Sequence, residues 1–483
     1  MLKQKHAKNK KAFSLHHRQK NMKQPTTQKR SGYRWIVAVM FFTVYMIAGA
    51  DRANIGVVVP FIKEDFHLSN VDIGLLASLF YITYALVQIP VGFLFSKYGI
   101  GKILSGCMIL TSISTLFIGL TGSVLQLKFA RAVLGASEGP LNIGIVSIIN
   151  RWFPAKEKGL ATGIFMSSIK FAPAFVPPLC AWIVLTWGWR EVFYIFAVPG
   201  FLIAIMWLMF VKDDPSESKY CNEAERDYIL NSDNEALAQT NAVTGTTEPA
   251  KSGFLDTLIR RKEVDLLSDS RSIFLSWNNW ACAIGYGLMV GITYSIMTWV
   301  PSYLINEKHM SVLSMGFVAS APWVGAIIGN LLGGVLSDRL FKGRRKPVMF
   351  ITSASTVIMM YVLINTPTIP VVIAGLFFLT GVLLNIGYST FLVYPMGLAV
   401  KQKVPLAASV VNTVGSVGGA VSPFVVGVIL DNYGWDQVFL FLSICSFVTL
   451  CLLMTMIEPV AKKNPREPKS TLLVNESTRI EQP

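Results

Sequence analysis

"GLATGIFMSSIKFAPAFVP" (residues 159–177) and "PLAASVVNTVGSVGGAVSP" (residues 405–423) lie 246 residues apart and share Leu160/Leu406, Ala161/Ala407, Ala174/Ala420 and Pro177/Pro423. At the same offset, "GWREVF" (188–193) meets "GWDQVF" (434–439). Upstream, "GFLFSK" (92–97) meets "GVLSDR" (334–339) at an offset of 242. Each match alone is weak. Three in the same order at nearly constant spacing indicate an internal duplication, so the fold is expected to be two halves of like topology.

Each half is too apolar for a soluble domain: the chain is 52% hydrophobic and only 15% charged. Apolar stretches of about 20 residues recur, long enough for helices to cross a hydrocarbon core of roughly 30 Å. Twelve are centred near residues 47, 84, 112, 136, 170, 201, 290, 324, 356, 382, 417 and 447. The expectation is an all-α membrane protein of twelve transmembrane helices in two six-helix pseudo-repeats. Its bundles span 35–211 and 273–457, flanked by a basic tail (1–34) and a second tail (458–483). The connection, 212–272, is slightly acidic and rich in Ser, Thr, Asn and Glu, and reads as a tether with at most one amphipathic helix.

Near the start, a basic leader, an apolar run and Ala48-Gly49-Ala50 imitate a secretory signal with its cleavage site. Cutting there would discard half a span. The continuation "NIGVVVPFI" instead completes one helix of roughly 28 residues, about 42 Å at 1.5 Å per residue.

The net charge of +15 is distributed in a telling way. Residues 1–34 hold eleven Lys or Arg and no acid, and further basic residues fall in alternate loops, as at Arg151, Lys156 and Lys158 or from Arg339 to Lys346. This positive-inside alternation places both termini and the central connection in the cytoplasm. A nucleic-acid surface would need a basic face with interleaved aromatics on a soluble domain, and the sequence has none. Six scattered cysteines without a CxxC spacing imply neither a metal site nor a disulfide framework. His6, His16, His17, His67 and His309 fall outside the spans, and no nucleophile stands near a base, so enzymatic action, a cofactor and a metal are not expected. The only Asn-x-Ser/Thr sequon, at Asn475, falls in the tail, which favours a bacterial plasma membrane over a glycosylated vesicle.

The Gly-x-x-x-Asp-Arg type turns after the second and eighth helices resemble the signature loop of the major facilitator superfamily. Gly334, Asp338 and Arg339 keep the pattern; Gly92 and Lys97 belong to a copy with Ser96 in place of the acid, which implies a weaker latch in that half. "DRANIGVVVP" (51–60), "YALVQIPVG" (84–92), "RAVLGASEGP" (131–140) and "RWFPAKEKGLATG" (151–163) together resemble the anion:cation symporter branch of that superfamily. The branch includes bacterial hexuronate, galactonate and glucarate importers and eukaryotic sialic acid and vesicular glutamate carriers. The resemblance implies that Arg52 holds the substrate carboxylate and that Asp51 and Glu138 handle the coupling proton. It also places Tyr84 and Asn412 at the ligand.

The residues support a charged site independently. Within the spans the deep charges are Asp51, Arg52, Arg131, Glu138 and Lys170, all in the first half. Each costs ~2.5 to 3.5 kcal/mol or more at a helix centre, so such groups pair or line a cavity. Two acids against three bases leave one cation in excess. Arg52 is the best anion receptor, because its planar fork matches a carboxylate with two parallel bonds. Arg131, two turns before Glu138 on one helix face, is either structural or a neighbour of the proton path. Lys170 either supplies a second anion contact or pairs with Glu138 in one conformation. The second half offers neutral groups suited to hydroxyls, of which Asn412, Tyr388 and Tyr294 are the chosen contacts. The expected function is import of a small organic anion, a sugar acid or other carboxylate, by symport with a proton, or with sodium in its place, in a lipid-embedded monomer. An exchanger of organic anions or phosphate esters and a non-transporting sensor of the same fold stay open.

Overall fold

The computed structural model describes residues 29–230, 259–400 and 403–461. Twelve of its helices are long and apolar enough to cross a membrane. The first six are α1 (Tyr33–Asp65), α2 (Asn70–Tyr98), α3 (Ile100–Leu120), α4 (Val124–Trp152), α5 (Ala155–Trp187) and α6 (Trp189–Phe210). After the connection follow α7 (Trp277–Asn306), α8 (Val312–Val335, prolonged by a wider turn at Leu336–Leu340) and α9 (Lys346–Ile364). The tenth, α10 (Pro370–Leu398), is interrupted at Gly387; α11 (Val404–Asn432) and α12 (Trp435–Thr455) complete the set. Helices are the form in which an apolar segment satisfies its own backbone groups in lipid. α1 runs unbroken through Ala50 and Asp51, as its apolar continuation requires.

Turns of a few residues join successive helices within each set of six, so neighbours run antiparallel and both Tyr33 and Thr455 lie at one end of the bundle, here the tail end. Serines begin several helices: Ser69 accepts from the Asp72 amide, Ser123 from Gln126, Ser276 from Asn279 and Ser311 from Ser314. The duplicated Gly-Trp pairs have one job. Gly188 (φ 109°) and Gly434 (φ 114°) occupy backbone regions that side-chain-bearing residues avoid, and each reverses the chain between two long helices.

The repeat extends to a detail that the aligned segments do not show. Three residues past α6, the Asp213 carboxylate accepts from the Ile100 and Gly101 amides at the start of α3. Three residues past α12, the Glu458 carboxylate accepts from the Arg345 and Lys346 amides at the start of α9. Both put an anion on a helix N-terminus, where it neutralises orphan donors and the positive end of the helix dipole.

The described ends of the central connection are docked onto the helices. Glu225 takes hydrogen bonds from the Ser31 hydroxyl, the Tyr33 amide and the Arg34 guanidinium, and Arg34 also reaches Glu157 at 2.7 Å. Arg261–Val264 pairs in parallel with Glu458–Ala461 as a two-stranded sheet. The stretch 231–258, where an amphipathic helix was conceivable, lies outside the described residues.

Between the two sets of six helices, close packing occurs at the end opposite the tails. Gly56 lies against the Met297 carbonyl, Gly74 against Pro423 and Gly316 against Pro177 and Pro178, where a Cβ would meet backbone. There too the Ser78 hydroxyl donates to the Ala420 carbonyl, and Asp431 accepts from the Asn70 and Val71 amides. Toward the tail end the same helix faces lose their cover. Ala181, Ala174, Lys170, Ser167 and Gly163 form one stripe on α5, of which the first two are buried, Lys170 is half-buried and the last two are exposed. On α8, Gly316, Trp323, Ile327 and Gly334 follow the same gradient, as do Pro423, Gly419 and Asn412 on α11. The two halves therefore meet at the far end and diverge toward the tails, leaving a cleft between them.

Candidate functional site

Arg52, Tyr84, Lys170, Tyr294 and Tyr388 lie near the apex of that cleft, and Asn412 is farther toward the tails. Arg52 lies one turn from Gly56 on α1, just below the last close contact with α7. Its Nε donates to Glu138 Oε2 at 2.7 Å, and Glu138 is fully buried. Three rings enclose the guanidinium, with centroids at 5.2 Å (Tyr45), 5.1 Å (Tyr84) and 5.8 Å (Phe80), which stabilises the cation without consuming its donors. Both Nη atoms stand 3.5 Å from the Tyr45 hydroxyl, a weak contact. One edge of Arg52 is thus held by Glu138, and the outer amino groups have little to bind.

Next to Arg52 is a cluster of buried polar side chains. Asp51, 2% exposed, accepts weakly from Asn54 Nδ2 at 3.4 Å and has the Thr115 hydroxyl beside it. Arg131, also 2% exposed, sits over the Phe80 ring at 4.9 Å, and among the described residues its Nε and Nη1 have no acceptor. Glu138 Oε1 is likewise without a donor there. Gly135, between Arg131 and Glu138, lets α4 approach the Phe80 carbonyl and the Thr83 hydroxyl of α2. The result is two acids and two guanidiniums close together with only one direct ion pair. Groups left this way in an apolar bundle are costly.

Across the cleft lie the neutral groups. Tyr294 stacks on Tyr81 at 4.1 Å, and Gly419 gives it room. Tyr388 lies 5.3 Å from Tyr286, and Asn412 is exposed on the face of α11 that carries Gly415 and Gly419. Lys170 is not near Glu138 as a partner. Its Nζ lies 4.7 Å from the Tyr388 ring centre and 5.6 Å from that of Trp323, with no carboxylate in contact among the described residues. The signature-loop residues are remote from this apex, at the tail end. A Cβ on Gly92 or Gly334 would meet open space, Lys97 lies over Tyr98, Asp338 pairs with Arg345 at 2.8 Å, and Arg339 is exposed.

Reading the sequence misses Tyr45, Trp323 and Asn142. Tyr45 stands seven residues before Arg52, two turns along the same face, and its hydroxyl is 3.4 Å from that of Tyr84. Asn142 follows Glu138 by one turn and has its side chain beside the Tyr84 hydroxyl. For both, the available signal was helical spacing from a charge.

The sequence matches the Major Facilitator Superfamily over residues 41–423 and again over 282–480. The chain belongs to the major facilitator superfamily. Within the superfamily it is 30% identical to the probable galactarate/D-glucarate transporter GarP of Escherichia coli (strain K12), over 84% of this chain and 90% of that one. It is 26% identical to the D-galactonate transporter of Escherichia coli O6:H1, over 86% and 93% respectively. Among solved structures, the fold resembles an inward-facing, unoccupied bacterial homologue of the human lysosomal transporter Spinster, with a TM-score of 0.69 at 17% identity, covering 88% of this chain and 96% of that one. This superfamily member is a transporter and not an enzyme. Its helical spans make it a multi-pass protein of the inner membrane, since bacterial outer membranes are crossed by β-barrels.

Proposed function

We propose that this transporter imports a small organic anion, a sugar acid or similar carboxylate, by proton symport with alternating access. The observation that carries the reading is Arg52, placed where the halves part, with one edge on Glu138 and its outer amino groups facing only a weak phenol contact. A carboxylate from the cleft can take those donors as two parallel, charge-assisted bonds in a water-poor site. As Arg52 turns to the substrate, Glu138 loses its cation, and an unpaired carboxylate beside Asp51 takes up a proton in preference to staying charged. Anion and proton then occupy the site together, and Tyr294, Tyr388 and Asn412 hydrogen-bond the hydroxyls. With the tails in the cytoplasm, as the loop charges imply, the cleft described above opens inward.

Support comes from the transported acids named for the two Escherichia coli relatives, galactarate/D-glucarate and D-galactonate. Vesicle uptake of labelled sugar acids under an imposed pH gradient tests the proposal. Accumulation that collapses with a protonophore is expected; uptake that ignores the gradient and requires an internal counter-anion would make the protein an exchanger.

A further inference from the structure

We propose that Lys170 makes this transporter selective for acids with two negative charges, its ammonium receiving the second one while Arg52 holds the first. The inference rests on the anion-transport reading above and deepens it.

Depth is the first argument. α1 and α5 run in the same direction and touch where Gly49 meets Ser168, Ile169 and Ala172, so Lys170 is level with Gly49. Arg52 is three residues farther along α1, about 4.5 Å at the helical rise. The two cations thus stand on adjacent helices at nearly one depth, so one substrate lying across the apex can meet both.

Its surroundings are the second. Lys170 is half-buried on the stripe where exposure of α5 changes from covered to open, so its head group borders the cleft. The neighbours at its head are two ring faces of the opposite half, Trp323 on α8 and Tyr388 on α10. Ring faces orient an ammonium and leave its N–H donors free to bind an anion. No acid occurs deep in the spans of the second half, and Glu138 is already committed to Arg52.

Charge balance is the third. With both acids ionised the five deep groups carry one net positive charge, so a monoanion neutralises the site with no proton. A dianion reaches neutrality only when one proton enters with it. Because uncompensated charge is expensive at this depth, Lys170 couples the second negative charge of the substrate to the proton. Removing Lys170 shifts the balance so that a monoanion becomes the proton-coupled substrate.

The test compares a six-carbon aldarate with the aldonate that differs from it only by a primary alcohol in place of one carboxylate. Both are measured in proteoliposomes holding wild type, Lys170→Gln or Lys170→Arg at matched abundance. Wild type should favour the aldarate by about tenfold or more, Lys170→Gln should lose that preference by weakening the diacid alone, and Lys170→Arg should keep it. Equal weakening of both acids in Lys170→Gln would make Lys170 a contact between the halves and overturn the proposal, as would a wild-type preference for the aldonate. If the wild type moves neither sugar acid, the sugar-acid reading fails. Succinate against its monoamide then repeats the charge comparison without hydroxyls, and no preference for succinate would overturn the role of Lys170 as well.

Discussion

The two halves repeat each other in helix order, in their Gly-Trp reversals and in the carboxylates that cap α3 and α9, yet they differ in the charge they place at the cleft apex. The first half supplies every deep charge, and the second supplies rings, hydroxyls and an amide. A duplication preserves what the bilayer demands of any six-helix unit, which is span length, close helix approach and capped ends. It leaves the interior lining free to diverge. Under the function proposed above, one half would handle charge and the proton, and the other would recognise the neutral part of the substrate.

Arg52→Lys should break the comparison most severely. A point charge cannot reproduce the two parallel bonds that the guanidinium offers a carboxylate, so substrate affinity should fall about a hundredfold in an equilibrium binding assay. Near-normal binding would remove Arg52 from the site. Asp51→Asn and Glu138→Gln should act differently, keeping exchange of labelled for unlabelled substrate while abolishing uphill, pH-driven accumulation. Protein abundance must be matched, because breaking a buried pair can cost ~3 to 5 kcal/mol and unfold the bundle. Accumulation at normal rates in both variants would show that neither acid carries the proton. In the second half the effects should be smaller and blind to charge. Asn412→Ala and Tyr294→Phe should each weaken hydroxylated acids about three- to tenfold, the range of one neutral hydrogen bond, and leave an unhydroxylated acid of equal charge unaffected. Loss of proton coupling in either variant would contradict the division of labour.

The twelve spans were readable because the bilayer imposes one length and one polarity on each of them, and the five deep charges stood out against that background. The partners of those charges were not readable. Tyr45 and Trp323 are aromatic residues in apolar helices, where dozens of others face lipid or pack in the core, and only the relative rotation of the helices picks them out. Lys170 illustrates the same limit. Its depth was evident, but whether it would meet Glu138 or the opposite half depends on the helix rotation about α5. Asp213 and Glu458 were hidden for another reason. They lie in segments that read as a tether and a tail, and their role depends on helix starts more than 110 residues away in sequence.

At the far end, Asp431 of one half accepts from the Asn70 and Val71 amides that begin α2 of the other. Rocking that end apart strips the helix of an acceptor which nothing in its own half replaces at those two amides among the described residues. The carboxylate therefore acts as a weight on the resting population. Losing it would raise the share of molecules open on the far side and change apparent affinity there without altering any residue that meets substrate. Spin-label distances across the far end, measured without substrate in wild type and Asp431→Asn, should lengthen in the variant, and an unchanged distribution would assign the bias elsewhere.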